Sequence, residues 1–162
     1  VAGSWNLGIK LYPHCHYWFI GSADTSFVPG ALAHWFTHMS SRTIVHMYGY
    51  GAFSIGSDII DQVGLFDEAY YPIYFEDWDY RDRIIAAGLG DRVIGEPTPQ
   101  GPSQWVDDSG GSQTIKSSPE FDFFNRTSHG ANQNVYREKQ SSGDWSPRGW
   151  SLQRRRDLEW LK

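Results

Sequence analysis

The sequence contains a single cysteine, Cys15, and only two methionines among its 162 residues. One cysteine excludes an internal disulfide and a cysteine-based zinc site, so packing must supply the stability. No apolar run approaches the roughly 18 residues that a membrane-spanning helix needs, and the first residues lack the basic and apolar regions of a signal peptide. Positive charge is also scarce, since 14 Lys and Arg stand against 19 Asp and Glu. The resulting net charge of −5 argues against nucleic acid as a partner.

Three common enzyme signatures are missing as well. The chain has no G-x-S-x-G, no P-loop and no G-x-G-x-x-G pattern. A hydrolase triad, a nucleotide triphosphatase and a Rossmann dehydrogenase therefore lack their usual sequence marks.

The composition predicts one globular domain, residues 1–162. Apolar residues make up 40% and charged residues 20%, which excludes disordered, collagen-like and coiled-coil classes. Aromatic residues reach 16%, and several lie beside polar ones. Such rings suit sugar binding, but composition alone favours an ordinary hydrophobic core.

Hydrophobic patterning divides the domain into a core, residues 1–94, and a loop-rich and helical C-terminal section, residues 95–162. Compact apolar runs predict strands, apolar spacing and end signals predict helices, and Pro, Ser, Gly, Gln and Asp predict a loop. The predicted strands are 16–20 and 43–47; the predicted helices are 31–39, 58–63, 76–87 and part of 119–139; the predicted loop is 95–119.

The densest group of ionisable residues lies at 76–83, Glu-Asp-Trp-Asp-Tyr-Arg-Asp-Arg. Acids are common at a helix start, where they meet free N–H groups and the positive end of the helix dipole, and i, i+4 acid–arginine pairs are ordinary. The large rings around these acids favour a second interpretation. Rings that exclude water raise a carboxyl pKa, which suits a general base that accepts a proton from a sugar hydroxyl. Both interpretations remain open at the level of the residues.

Asp24 is a second candidate, because it follows the predicted strand 16–20 at the end where open α/β sheets bind ligands. A carboxylate there can bind Mg²⁺ or Mn²⁺, which prefer oxygen ligands and commonly share them with phosphates. A lone Asp after a strand is also a common turn former or helix cap. His14 and His16 share a strand face without a further ligand motif, so a zinc site is not expected.

Taken in order, several segments resemble family 2 glycosyltransferases with the GT-A fold. The segment 6–9, Asn-Leu-Gly-Ile, is similar to a pattern that opens a helix in those enzymes. The segment 17–32 is similar to their strand that ends in a D-x-D-type motif, followed by a helix after Pro-Gly. Further similar segments lie at 51–55, 63–68, 75–79 and 83–88, and less specific ones at 111–115 and 134–139.

The resemblance implies an α/β fold, a GT-A-like and mostly parallel sheet flanked by helices, and an inverting, metal-dependent sugar transfer. It implies that Asp77 is the catalytic base, that Arg83 supports the helix, and that Asp24 binds the metal. The implied donor-binding residues are Asn6, Gly8, Ser22, Ala23, Asp24 and Gly51. The implied acceptor-binding residues are Tyr48, Glu76, Trp78 and Asp79.

The sequence departs from the family pattern in three places. Ser22 occupies the first carboxylate position of the D-x-D pattern, which weakens the expected metal affinity. Asp107, Asp108 and Ser109 occur where many relatives carry a histidine, and His129 is a distant alternative ligand. Only five residues precede Asn6, whereas a nucleotide-binding β-α-β unit needs about 30. The chain is therefore expected to resemble the acceptor-side, C-terminal portion of the domain, with an exposed sheet edge that favours homo-oligomers.

The expected function is transfer of a sugar from a UDP-, GDP- or dTDP-sugar to a hydroxyl of a glycan or glycolipid acceptor, as in polysaccharide biosynthesis. The expected cofactor is Mn²⁺ or Mg²⁺. The expected location is cytoplasmic, in solution or at the cytoplasmic face of a membrane. Two alternatives remain: a non-catalytic carbohydrate-binding or scaffold domain, and a glycoside hydrolase with two carboxylates and no metal.

Overall fold

A computed structural model describes residues 1–22, 25–27, 29–47, 50–95, 106–107 and 119–149. The helices in these ranges are α1 Ala2–Leu11, α2 Ala31–Phe36, α3 Ser57–Val63, α4 Glu76–Ala86 and α5 Pro119–Ser142, with a 3-10 turn at Gly90–Arg92. The strands are β1 Tyr17–Gly21, β2 Ser26–Phe27, β3 Ile44–Met47, β4 Ala52–Gly56, β5 Val93–Gly95 and β6 Val106–Asp107. The chain is thus of the α/β class, as expected.

The main sheet of the described residues has four strands in the order β1-β4-β3-β5. The β3–β5 pair is parallel, whereas β4 is antiparallel to both β1 and β3. The expectation of a mostly parallel sheet is therefore only partly right, because β1, β3 and β5 share one direction but β4 runs the opposite way between them. The physical reason is the short segment 48–51 between β3 and β4, which is too short for the crossover that a parallel pair requires.

Side chains alternate between the two faces of the sheet, as the strand period of two requires. Ile44 and Phe53 face a core that also contains residues of α1, α3 and α4. Val45 and Ala52 face a smaller core that contains Trp35 of α2. Helices therefore cover both faces, and every residue of β4 is buried.

Gly64 and Gly88, which the sequence indicates as the end signals of two helices, directly follow or lie just beyond the ends of α3 and α4. Gly64 follows α3 with a φ of 90°, and Gly88 follows α4 with a φ of 74°. These positive angles favour glycine, which has no Cβ to clash with the backbone. The segment 6–9 behaves differently from its expectation, because it lies inside α1 and does not open it.

Helix α5 packs against the segment that leads into α4. Tyr70, Phe75 and Tyr136 form a separate buried cluster between them. Only part of 119–139 was expected to be helical, but the helix is continuous over 24 residues. It brings side chains from the C-terminal section to the predicted catalytic helix.

None of the helices in the described ranges combines the length and the apolar character that crossing a bilayer requires.

Candidate functional site

The candidate site begins at an unusual turn immediately before α4. Tyr74 and Phe75 both have positive φ angles, 84° and 73°, which bulky residues rarely adopt. The side-chain amide of Asn132 in α5 donates hydrogen bonds to the carbonyls of Ile73 at 2.8 Å and Tyr74 at 3.3 Å. Such backbone strain persists only where surrounding contacts enforce it, and it is concentrated at functional sites.

Two carboxyl groups follow this turn directly. Glu76 is only 5% exposed, and its Oε2 has no hydrogen-bond partner among the described residues. Burial, reinforced by the charge of Asp77, raises the pKa of Glu76 to about 7. Burial also raises the pKa of Asp77, against the hydrogen bond from the Trp78 amide at 2.9 Å and the charge of Arg81. Both groups are therefore better proton acceptors than an ordinary surface carboxylate.

Asp79, which was expected to shape the acceptor pocket, is instead completely buried. Its Oδ1 accepts hydrogen bonds from the Lys139 ammonium at 2.7 Å and the Tyr70 hydroxyl at 3.1 Å. Lys139 also donates to Asp67 at 2.7 Å, and both side chains of that pair have no exposed surface. These contacts join α5 to α4, so Asp79 helps to hold the two helices together.

One ammonium serves both buried carboxylates, and their pKa values shift in opposite directions. Burial opposes ionisation of Asp67, but hydrogen bonds from Lys139 and from the amides of Arg148 and Ala69 bring its pKa below the usual value. Burial raises the pKa of Asp79 in spite of Lys139. The ionised form is therefore favoured more at Asp67, where backbone amides add to the Lys139 hydrogen bond.

Arg83 joins the C-terminal half of α4 to the end of α3. Its guanidinium donates to the carbonyls of Leu65 at 2.7 Å and Val63 at 2.6 Å, at the end of α3. It also lies 3.8 Å from Asp79 Oδ2. These bonds hold α4 in place, which is the kind of role that the resemblance implied for Arg83.

Trp78 is the large ring that is open to solvent beside Asp77. Its side chain is 50% exposed. It packs edge-on against Phe75 at 5.6 Å and against Tyr136 at 5.9 Å between ring centroids. The guanidinium of Arg81 lies 6.0 Å from the ring centroid. A fixed, half-open indole of this kind can stack on the apolar face of a sugar.

The predicted donor-side residues Ser22 and Gly51 meet at one edge of the sheet. The Ser22 amide donates to the Gly51 carbonyl at 2.9 Å, just beyond the carboxyl end of β1. The ring of Tyr50, next to Gly51, lies 6.5 Å from that of Phe66, which stacks on Tyr80 of α4 at 4.1 Å between centroids. A single aromatic ring therefore separates this edge of the sheet from α4.

Tyr50 was not among the residues that the sequence predicts for the site. Its φ is 62°, its ring is 5% exposed, and its hydroxyl has no hydrogen-bond partner among the described residues. Its ring stacks on His46 at 4.9 Å with an interplanar angle of 8°. The glycines that flank Tyr50 were the available signal, because they indicated a bend without indicating which side chain it presents.

Of the remaining predicted donor residues, the structure describes Asn6 and Gly8. Asn6 is buried, and its side chain bonds both the amide and the carbonyl of Phe66 at 2.9 Å, which fixes the chain after α3. Gly8 lies in α1, where an added Cβ would meet nothing within 4 Å. Ala23, Asp24 and Tyr48 lie outside the described residues.

In the described ranges, no three or more His, Cys, Asp and Glu side chains are arranged to hold a metal ion. His129, the distant alternative ligand, packs its ring against Tyr74 and Phe75. Asp108 and Ser109 lie outside the described residues, as does Asp24. Metal binding by Asp24 therefore stays a prediction.

The chain matches no family model, no curated protein and no solved structure at a significant level of similarity.

Proposed function

We propose that the protein transfers a sugar from a nucleoside-diphosphate sugar to a hydroxyl group of a glycan or glycolipid. The observation that carries this proposal is the position of Asp77. Its carboxyl follows an enforced left-handed turn, has a raised pKa, and lies beside the half-open ring of Trp78. The resemblance of the ordered segments to family 2 glycosyltransferases supports the same assignment.

Asp77 acts as the general base in this proposal. The acceptor oxygen attacks the anomeric carbon, its proton passes to the Asp77 carboxylate, and the bond from the anomeric carbon to the diphosphate oxygen breaks. The diphosphate leaves with the electron pair of that bond, and the configuration at the anomeric carbon inverts. A positioned base of this kind typically contributes a factor of about 10² to 10⁴ to the rate.

The electrostatics around Asp77 support such a role. Its pKa is raised by burial, yet Arg81 and the Trp78 amide keep its ionised form accessible. Glu76, with a pKa of about 7, adds a second carboxyl at the same place. A base is most effective when its pKa approaches the working pH without exceeding it.

The donor side is proposed to lie at the edge that contains Ser22 and Gly51, with Asp24 as the residue that holds Mn²⁺ or Mg²⁺. A bound divalent cation would supply positive charge next to the leaving diphosphate. The protein's own contribution at this edge is the backbone contact between Ser22 and Gly51, which holds the two segments together.

The direct test is Asp77→Asn, assayed for nucleotide release from UDP-, GDP- and dTDP-sugars with and without Mn²⁺, in the presence of a panel of sugar acceptors. We expect transfer to fall by about 100-fold or more while donor binding stays nearly intact. Asp91→Asn is the matched control, because Asp91 is exposed on the 3-10 turn that follows the C-terminal end of α4, whereas Asp77 lies at the N-terminal end. A parental transfer rate in Asp77→Asn would refute the role of Asp77.

A non-catalytic carbohydrate-binding domain is the second candidate, and Ser22 is the observation that favours it. A serine in place of the first D-x-D carboxylate removes one metal ligand from the pattern. This candidate predicts sugar binding without metal-dependent nucleotide release in the parent protein, so the same assay separates the two functions.

A further inference from the structure

We propose that the Tyr50 hydroxyl is a ligand-binding group, which donates a hydrogen bond to an oxygen of the sugar acceptor next to Asp77. The inference rests on the proposed function, because it assigns a new residue to the acceptor part of the same site. It identifies the ligand by chemistry as a neutral compound that carries several hydroxyl groups.

The first argument is the unsatisfied hydroxyl itself. The Tyr50 side chain is 95% buried, and its oxygen has no hydrogen-bond partner in the described part of the chain. Burial of a hydroxyl without a partner is unfavourable, so such groups need an explanation. Tyr80, the neighbouring buried tyrosine, satisfies its hydroxyl with the Gly64 carbonyl at 2.6 Å.

The second argument is that the protein holds the Tyr50 ring in one orientation. The ring stacks on His46 and packs edge-on against Phe53 at 5.0 Å between ring centroids. Its backbone has a φ of 62°, a conformation that costs free energy for an aromatic residue. A ring fixed in this way presents its hydroxyl without a further loss of side-chain entropy on binding.

The third argument is the position of the Tyr50 ring relative to α4. Its centroid lies 6.5 Å from that of Phe66, and Phe66 stacks on Tyr80 of α4 at 4.1 Å. The effects on the pKa of Tyr50 agree with this position, because Tyr80, Asp77 and Asp82 raise it beyond the effect of burial and Arg81 lowers it. Asp77, Tyr80 and Arg81 lie on one face of the helix, because side chains three and four positions apart are neighbours. The Tyr50 ring therefore lies one aromatic ring away from the face of α4 that contains the proposed base.

The chemistry of these groups selects the ligand. A phenol at neutral pH donates one hydrogen bond, and a carboxylate only accepts. A sugar that carries adjacent hydroxyl groups can accept from Tyr50 and donate to Asp77 at the same time. Asp77 and Asp82 add negative charge at this face of α4, which disfavours an anionic ligand at this position.

The test compares Tyr50→Phe with Tyr80→Phe, since each substitution removes one hydroxyl and keeps the ring. In Tyr50→Phe, the melting temperature should stay the same or rise, because no bond of the free protein is lost. In Tyr80→Phe, it should fall by several degrees, because the bond to Gly64 is lost.

Binding is measured on the full chain with a panel of methyl glycosides at millimolar concentrations, by ligand-observed NMR. We expect at least one glycoside to bind the parent, Tyr50→Phe to bind it about tenfold more weakly, and Tyr80→Phe to bind it with parental affinity below its melting temperature. Parental affinity in Tyr50→Phe would overturn the inference. A parent that binds no glycoside would overturn it too, as would a Tyr50→Phe variant that loses as much stability as Tyr80→Phe.

Nucleotide release from the donor sugars is measured in parallel, so the two proposals can fail separately. Glycoside binding that depends on Tyr50 without any nucleotide release leaves the inference standing and refutes the transferase. Nucleotide release with an unchanged KM for the acceptor in Tyr50→Phe leaves the transferase standing and refutes the inference.

Discussion

The first turn of α4 contains two kinds of buried acid that the protein treats in opposite ways. Asp79 receives hydrogen bonds from Lys139 and Tyr70 and has no exposed surface. Glu76, three residues earlier, is also buried, but no described lysine or arginine lies within ion-pair distance of it, so burial dominates its pKa. Each acid has one oxygen without a hydrogen-bond partner among the described residues, Asp79 Oδ2 and Glu76 Oε2, so the difference between them is the cation. The paired acid joins two helices, whereas the unpaired acid increases the free energy of the folded state once it ionises.

This difference teaches how a fold can maintain an unfavourable site. The contacts of Asp79 with Lys139, and those of Arg83 with the end of α3, hold the helix in place. Glu76 then stays buried and Asp77 half-buried, because these contacts hold the helix that contains both. Natural proteins commonly accept such local costs at functional sites and compensate for them nearby.

The largest effect should come from removing the shared cation. Lys139→Met leaves Asp67 and Asp79 buried without their ammonium, so the free energy of unfolding should fall by about 3 to 5 kcal/mol in urea titrations. Arg137→Met is the control, because Arg137 is exposed on the same helix and should have little effect. A loss below about 1 kcal/mol in Lys139→Met would mean that the paired acids do not anchor α4.

Glu76 should make the free energy of unfolding depend on pH. The pKa of Glu76 is raised to about 7 in the folded protein, so between its unfolded value and 7 the folded state binds more protons than the unfolded state. Its contribution to stability is therefore greatest below the unfolded pKa and is lost as the pH rises through about 7. The loss amounts to about 3 kcal/mol, and Glu76→Gln should abolish it.

Chemical unfolding of Glu76→Gln and the parent at a series of pH values measures this contribution. Glu120→Gln is the control, because Glu120 is exposed and the substitution should leave the pH profile unchanged. Parallel profiles for the parent and Glu76→Gln would show that Glu76 is not a strained acid.

A smaller effect should follow from removing the hydrogen bonds that hold the turn before Glu76 and Asp77. Asn132→Ala removes the hydrogen bonds to the carbonyls of Ile73 and Tyr74, with an expected loss of about 1 to 2 kcal/mol of stability. Because this turn orients Asp77, sugar transfer should decrease more than stability alone explains. Asn134→Ala, at an exposed position of the same helix, should change neither, and an equal effect of both substitutions would contradict the role of Asn132.

The smallest effect is expected for the ion pair between Arg126 and Asp122, which lies on the solvent side of α5. Its side chains are 76% and 47% exposed, so water and salt screen their attraction. Arg126→Ala should change the free energy of unfolding by less than about 0.5 kcal/mol. A larger change that persists at high salt would show that exposure does not distinguish this pair from the buried one.

Much of the secondary structure could be predicted from local patterns. The helix expected at 76–87 is observed as Glu76–Ala86, and the strand expected at 43–47 as Ile44–Met47. Local spacing, caps and glycine stops act within a few residues, so they are visible in one sequence. Strand β4 was not predicted and α5 was predicted only in part, because both depend on pairing and packing partners elsewhere in the chain.

The candidate site was harder to anticipate because its contacts join distant parts of the chain. Lys139 is 72 residues from Asp67 and 60 residues from Asp79, and no local pattern links them. The sequence grouped Asp79 with Asp77 and Glu76 as one acidic cluster. The separation of that cluster into paired and unpaired acids required knowledge of which side of α4 meets α5.

The amino-acid sequence by itself determined the α/β class, the positions of β1, β3 and helices α2 to α4, and the presence of concentrated acids among aromatic rings at the start of α4. These features arise from hydrophobic periodicity and backbone preference, which act over short distances along the chain. Only the tertiary structure decided which carboxyl is neutralised by Lys139, which remains unpaired, and which tyrosine hydroxyl is left without a partner. Burial and charge pairing depend on neighbours in space, and folding alone brings those neighbours together.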